Sequence, residues 1–145
     1  PGDINLATSG LSAASQADVE AATSFLTAVT PGRVQFHPGA AKAWIMFDGR
    51  NTVISTTSDK AYNVSSVSDN GAGNWTINFI TNFSAASYSA VFGTRMPISG
   101  NAVRQVGLAD GATPGVGSFN LAHAVNAAAY SDTDFVYAAF YGDQA

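Results

Sequence analysis

The residues able to do chemistry in this chain are few. Histidine occurs twice, at His37 and His123, and cysteine not at all. The histidines stand far apart, and neither belongs to an H-x-x-x-H or H-E-x-x-H spacing that would set two imidazoles on one helix face around zinc. A metal site would therefore need scattered aspartates as further ligands. Without cysteine there is no disulfide, thiolate metal site or thiol nucleophile. The carboxylates that could pair for glycoside hydrolysis are Asp48, Asp59, Asp69, Asp110, Asp132, Asp134 and Asp143. Nearly all stand beside Gly, Ser or Asn, where turn chemistry explains them. No G-x-S-x-G elbow occurs, and neither "GAGN" nor "GVGS" leads into a helix as a phosphate loop would. The expectation is no catalytic residue, no metal, no cofactor and no enzyme.

Binding groups are better supplied. Trp75, Tyr88, Tyr130, Tyr137 and Tyr141 have rings that could stack on a sugar. Trp75 alternates with Ile77 and Phe79, which assigns it to a core; Tyr130, Tyr137 and Tyr141 stay open as contact residues. Two polar loops, Asp69–Asn74 and Asp110–Gly117, add Asn70, Asn74, Asp110 and Thr113 as candidates. Three glycosylation sequons start at Asn63, Asn74 and Asn82, but each falls in or beside a predicted strand and carries no weight.

The elements that must position these groups follow from composition and pattern. At 145 residues the chain is sized for one main domain. Only 11% of it is charged, against roughly 25% in an average domain, while 46% is hydrophobic. The rest is mostly Ser, Thr, Asn and Gly, a composition common in β-rich extracellular and virion proteins. Six basic residues against ten acidic ones leave a net charge of −4. That argues against nucleic acid, whose phosphates need clustered Lys and Arg. No apolar run approaches a membrane span, so no membrane insertion is expected.

Residues 1–14 are small, polar and punctuated by Gly and Pro, and read as an extended or partly disordered arm. Ser15 followed by Asp18 forms a capping signal for a short amphipathic helix over Gln16 to Leu26, with Val19, Ala22 and Leu26 on one face. Thr30-Pro31 starts a further turn or two through Arg33 and Phe36, which Pro38 and Gly39 end. Residues 15–41 thus form a helical linker and oligomerisation segment. From Lys42 to the C-terminus the pattern is β. Strands are expected at Lys42–Phe47, buried, and at Thr52–Thr56, Tyr88–Thr94, Ala102–Leu108, Ser118–Tyr130 and Asp134–Gly142. A hairpin should pair Tyr62–Ser68 with Asn74–Ile80 through "DNGAGN". The fold class is mainly β: a short arm and helix, then an antiparallel sandwich or barrel-like head over 42–145.

Several words in this order carry a resemblance. "AVTP" (Ala28 to Pro31), "HPGAAKAW" (His37 to Trp44), "YNVSSVSDNGAGNWTINF" (Tyr62 to Phe79) and "FSAASYSAV" (Phe83 to Val91) resemble a module of tailed-phage tail fibres and related virion proteins. The likeness covers about Ser15 to Thr94. Two departures stand out: Ala22 replaces a usual glycine, and the chain after Thr94 matches no word of the module.

The resemblance implies a structural component of the virion surface, usually trimeric, with no catalytic residues. Its partners would be further copies of itself, other virion proteins and a host-surface glycan or protein. The main expectation is the β head of a tail fibre or spike that contributes to host attachment. Its rival is a capsid decoration or head-spike protein docked on the shell by its N-terminal arm; a free carbohydrate-binding module is the weaker third. Val19, Leu26, Pro31, Phe36, His37, Pro38, Lys42 and Trp44 are expected at a hinge or between subunits.

Overall fold

A computed structural model describes residues 12–22, 27–50, 60–95, 104–125 and 129–145. The chain divides into two compact units, Pro1–Ala40 and Ala41–Ala145.

In the N-terminal unit, β1 (Ser12–Ala13) pairs in parallel with β2 (Thr27–Ala28). Residues 1–11 of the expected arm lie outside the described residues; of its last three, Ser12 and Ala13 are paired and Ala14 is 2% exposed, so these are not arm-like. Helix α1 (Gln16–Ala21) opens with the predicted capping box. Ser15 Oγ accepts from the Asp18 N–H at 3.2 Å, and Asp18 Oδ2 accepts from the Ser15 N–H at 2.8 Å. The bonds from the Ser15 side chain and backbone hold the Asp18 carboxyl below its ordinary range. The helix is shorter than its apolar spacing suggested. Ala22 adopts the left-handed conformation (φ 50°) and its N–H turns back to Asp18 O at 3.1 Å. This ends the helix at Ala21; Leu26, expected on the face of Val19, lies outside the described residues. The Pro31 segment is a 3-10 helix, Pro31–Phe36, whose Thr30 side chain makes no capping bond.

The C-terminal unit is a sandwich of two sheets. One is ordered β4 (Ala61–Tyr62), β3 (Ala43–Phe47), β11 (Val136–Tyr141), β7 (Ser89–Thr94), all antiparallel. The other runs β5 (Val64–Asp69), β6 (Asn74–Phe79), β9 (Ser118–Val125), with β8 (Arg104–Leu108) on the far edge of β9. The short β10 (Ala129–Tyr130) takes over the β6 edge of β9 where β6 ends. His123 shows the handover: its N–H donates to Gly73 O at 2.8 Å and its O accepts from the Ser131 N–H at 3.1 Å. The predicted strand at Thr52–Thr56 lies outside the described residues.

Period-two alternation explains both layers. Ala43, Ile45 and Phe47 face Trp75, Ile77 and Phe79 across the interior, with Val136, Ala138, Phe140, Phe119 and Leu121. Trp75 is fully buried, as its alternation predicted. Its ring meets Phe47 edge-on at 5.5 Å between centroids, and its Nε1 donates to Gly49 O at 3.1 Å. Phe79, Phe83, Phe119 and Phe140 surround Tyr88, whose hydroxyl donates to Gly115 O at 3.0 Å. Burial pushes the Tyr88 phenol up to about 12.

Three expectations change here. The expected single strand Ser118–Tyr130 is two: β9 ends at Val125, and β10 pairs back antiparallel with it, Tyr130 opposite Ala124. The Ala43–Phe47 strand is buried on one face only, because Trp44 and Met46 point outward. Tyr62 does not belong to the hairpin strand: Asn63 takes the left-handed conformation (φ 55°), so Tyr62 pairs with Trp44 in one sheet while Val64 starts the other. The Asn63 side chain supports the break, accepting from the Thr81 N–H at 2.6 Å and donating to Thr81 O at 2.9 Å.

Candidate functional site

The two sheets present opposite chemistry to the outside. On the four-stranded sheet, register aligns Tyr62, Trp44, Ala139 and Val91 in one row across the strands, and Met46, Tyr137 and Gly93 in the next. Tyr62, Trp44, Val91 and Tyr137 are 45%, 36%, 62% and 44% exposed. Together they put three aromatic rings and a valine on one outer face, the kind of exposed apolar grouping that marks contact surfaces. The outward rows of β5, β6 and β9 instead carry Ser66, Ser68, Thr76, Asn78, Ser118 and Asn120. These residues are uncharged, and Asn78 Nδ2 donates to Ser66 Oγ at 3.0 Å between neighbouring strands.

At the β8–β9 end of the polar sheet the surface becomes concave. Gly107, Ala122 and Ala124 supply small side chains, and Gln105, Leu108, Asp110 and Tyr130 stand around them in a cleft of about 360 Å³. Strands β8 and β10 flank opposite edges of β9, so Tyr130 reaches across β9 toward the chain that follows β8. Its hydroxyl accepts from the Asp110 backbone N–H at 3.0 Å. A larger residue at 122 or 124 would block that path. Asp110 and Tyr130, twenty residues apart, are thus brought to one place, as neither spacing nor periodicity announced.

The other contact candidates stay apart. Asn70 and Asn74 brace their own hairpin, Asn70 Nδ2 donating to Asn74 Oδ1 at 3.3 Å and to Thr76 Oγ1 at 2.8 Å. Thr113 is exposed in the loop between β8 and β9 but does not line the cleft. Tyr137 belongs to the aromatic face, and Tyr141 pairs with Ser89 at its margin. Among the expected hinge residues, Val19 is buried and Pro31 opens the 3-10 helix. Phe36 lies under the Arg33 guanidinium at 5.6 Å, and His37 Nδ1 accepts from the Gly39 N–H at 3.0 Å, with Pro38 between them exposed. Lys42 is buried, its backbone N–H donating to Phe140 O at 2.8 Å. Trp44 heads the aromatic row.

His123 is fully buried. Its Nδ1 lies 2.5 Å from Ser131 O, a carbonyl that can only accept, so Nδ1 carries the proton and Nε2 faces Arg104 Nη1 at 3.5 Å. Sequence reasoning weighed this residue only as a metal ligand and missed its part in joining three segments. Among the described residues no group of three or more His, Asp or Glu is placed to hold a metal. Nor, among them, is any helix long and apolar enough to cross a membrane. No family model, curated protein or solved structure matches the chain.

Proposed function

We propose that the chain is a structural, non-enzymatic protein of a tailed-phage virion, its β head standing at the virion surface in a tail fibre or spike and contributing to host attachment. The observation that supports this is the contrast between the two outer faces of the sandwich. An aromatic face with Trp44, Tyr62, Val91 and Tyr137 suits packing against another protein surface, either a further copy in a trimer or a neighbouring virion protein. The polar grid and the cleft at Asp110 and Tyr130 suit a surface left in water to meet the host.

A second reading, capsid decoration, draws on the same aromatic face, which would serve equally well for seating the head on a shell. Immunogold electron microscopy of intact particles with antibody against the β head separates the two. Label at the tail fits attachment; label distributed over the head fits decoration; unlabelled particles would overturn both.

A further inference from the structure

Resting on the attachment reading and refining it, we propose that the cleft at Asp110 and Tyr130 takes one neutral pyranose unit of a host-surface glycan. A pyranose has an apolar C–H face and a rim of hydroxyls that each donate and accept. The cleft offers a counterpart to both. Tyr130 is 40% exposed, and its hydroxyl is tethered to the Asp110 N–H, so the ring is a fixed platform rather than a free rotor.

For the hydroxyl rim, the Asp110 carboxylate supplies acceptors and the exposed Gln105 amide supplies both donor and acceptor. Because Tyr130 Oη already accepts from the backbone, its own hydrogen remains to donate. The choice of a neutral sugar follows from charge: among the described residues lining the cleft Asp110 alone is charged, and the chain carries −4 overall. A sialic acid or phosphorylated sugar would meet a carboxylate with no Lys or Arg to offset it. The small floor leaves the space open: a Cβ at Gly107 would meet no atom within 4 Å. Strands β8 and β9 hold that floor in register, so little ordering remains to be done on binding.

The test uses the full chain and saturation-transfer NMR with the methyl glycosides of glucose, galactose and N-acetylglucosamine, with sialic acid as the charged control. At least one neutral glycoside should bind with a Kd of about 1 mM, an ordinary strength for so small a ligand. Gly107→Val fills the cleft from open space, and Tyr130→Ala removes the platform; each should weaken binding roughly tenfold or more. Gly107→Val should melt with the parent, which separates a blocked cleft from a broken fold. The proposal is overturned if no neutral glycoside binds, if Gly107→Val binds undiminished, or if sialic acid binds as well as the neutral sugars. Adsorption assays on whole cells distinguish the two levels of failure. A head that binds cells but no neutral glycoside sinks this subsite and leaves attachment standing; a head that binds neither sinks attachment too.

Discussion

His123 and Gly73 are joined backbone to backbone, the His123 N–H donating to Gly73 O at 2.8 Å, and that bond marks the point where three segments close one end of the sandwich. Gly73 ends the β5–β6 turn at φ +62°, and its N–H donates to Asp132 Oδ1 at 2.6 Å. Ser131 receives the His123 ring, while Thr133 O accepts from the Gly49 N–H at 2.9 Å. Residues 131–133 thereby carry the chain from the polar sheet to the aromatic one with both sides tied.

Gly73→Ala tests this closure. A Cβ there would sit 2.4 Å from Ser131 N and 2.6 Å from His123 O, backbone atoms that cannot rotate away, in a conformation that already disfavours a side chain. A loss of about 2–4 kcal/mol in urea unfolding is expected, at the upper end for a single methyl. Gly107→Val, with no neighbour to strike, is the matched control and should stay within about 0.5 kcal/mol of the parent.

Tyr88 sets the alkaline limit. Its phenol is raised from 10.0 to about 12 by burial, so the folded state holds the proton more tightly than the unfolded one. The resulting stability is fully present below pH 10 and is lost as the pH rises toward 12. Thermal melts across that window should show a falling Tm. Tyr88→Phe should flatten the fall and lower stability at neutral pH by about 1 kcal/mol, because the Gly115 carbonyl loses its donor.

Asp18 sets an acid limit on the N-terminal unit. With its pKa lowered by bonds to Ser15, the capping stabilisation is present above the ordinary carboxylate range and disappears as the pH falls through the folded value. Protection factors of the amides of residues 16–22, taken relative to the intrinsic exchange rate at each pH, should fall on acidification, and Asp18→Ala should show that lower protection already at neutral pH.

The aromatic face predicts a separation of stability from assembly. Trp44→Ser with Tyr137→Ser removes partly exposed rings and should lower monomer stability by only about 1–2 kcal/mol. Sedimentation and particle-incorporation assays should show a much larger defect. Unchanged assembly in the double variant would exclude this face as the contact.

Much of the architecture was legible before any coordinates. Alternation at Trp75, Ile77 and Phe79 placed the core face of β6, Ser15 and Asp18 marked the start of α1, and "DNGAGN" located the hairpin, because each signal is a local preference of backbone or side chain. The end of α1 was not legible, since Ala22 is a good helix former by type and yet takes the left-handed conformation. Nor was Tyr62's transfer to the other sheet, which hangs on one left-handed asparagine. The cleft lay furthest out of reach. Asp110 and Tyr130 were each singled out as contact residues, yet their meeting depends on β8 and β10 flanking opposite edges of β9 and on alanines at 122 and 124 letting a ring pass. By itself the sequence determined the β class, the core rows and the lack of charge, because period and composition act residue by residue. Which rows lie outward together, and which loops converge, was decided by strand order, a property of pairings between distant segments that no local pattern encodes.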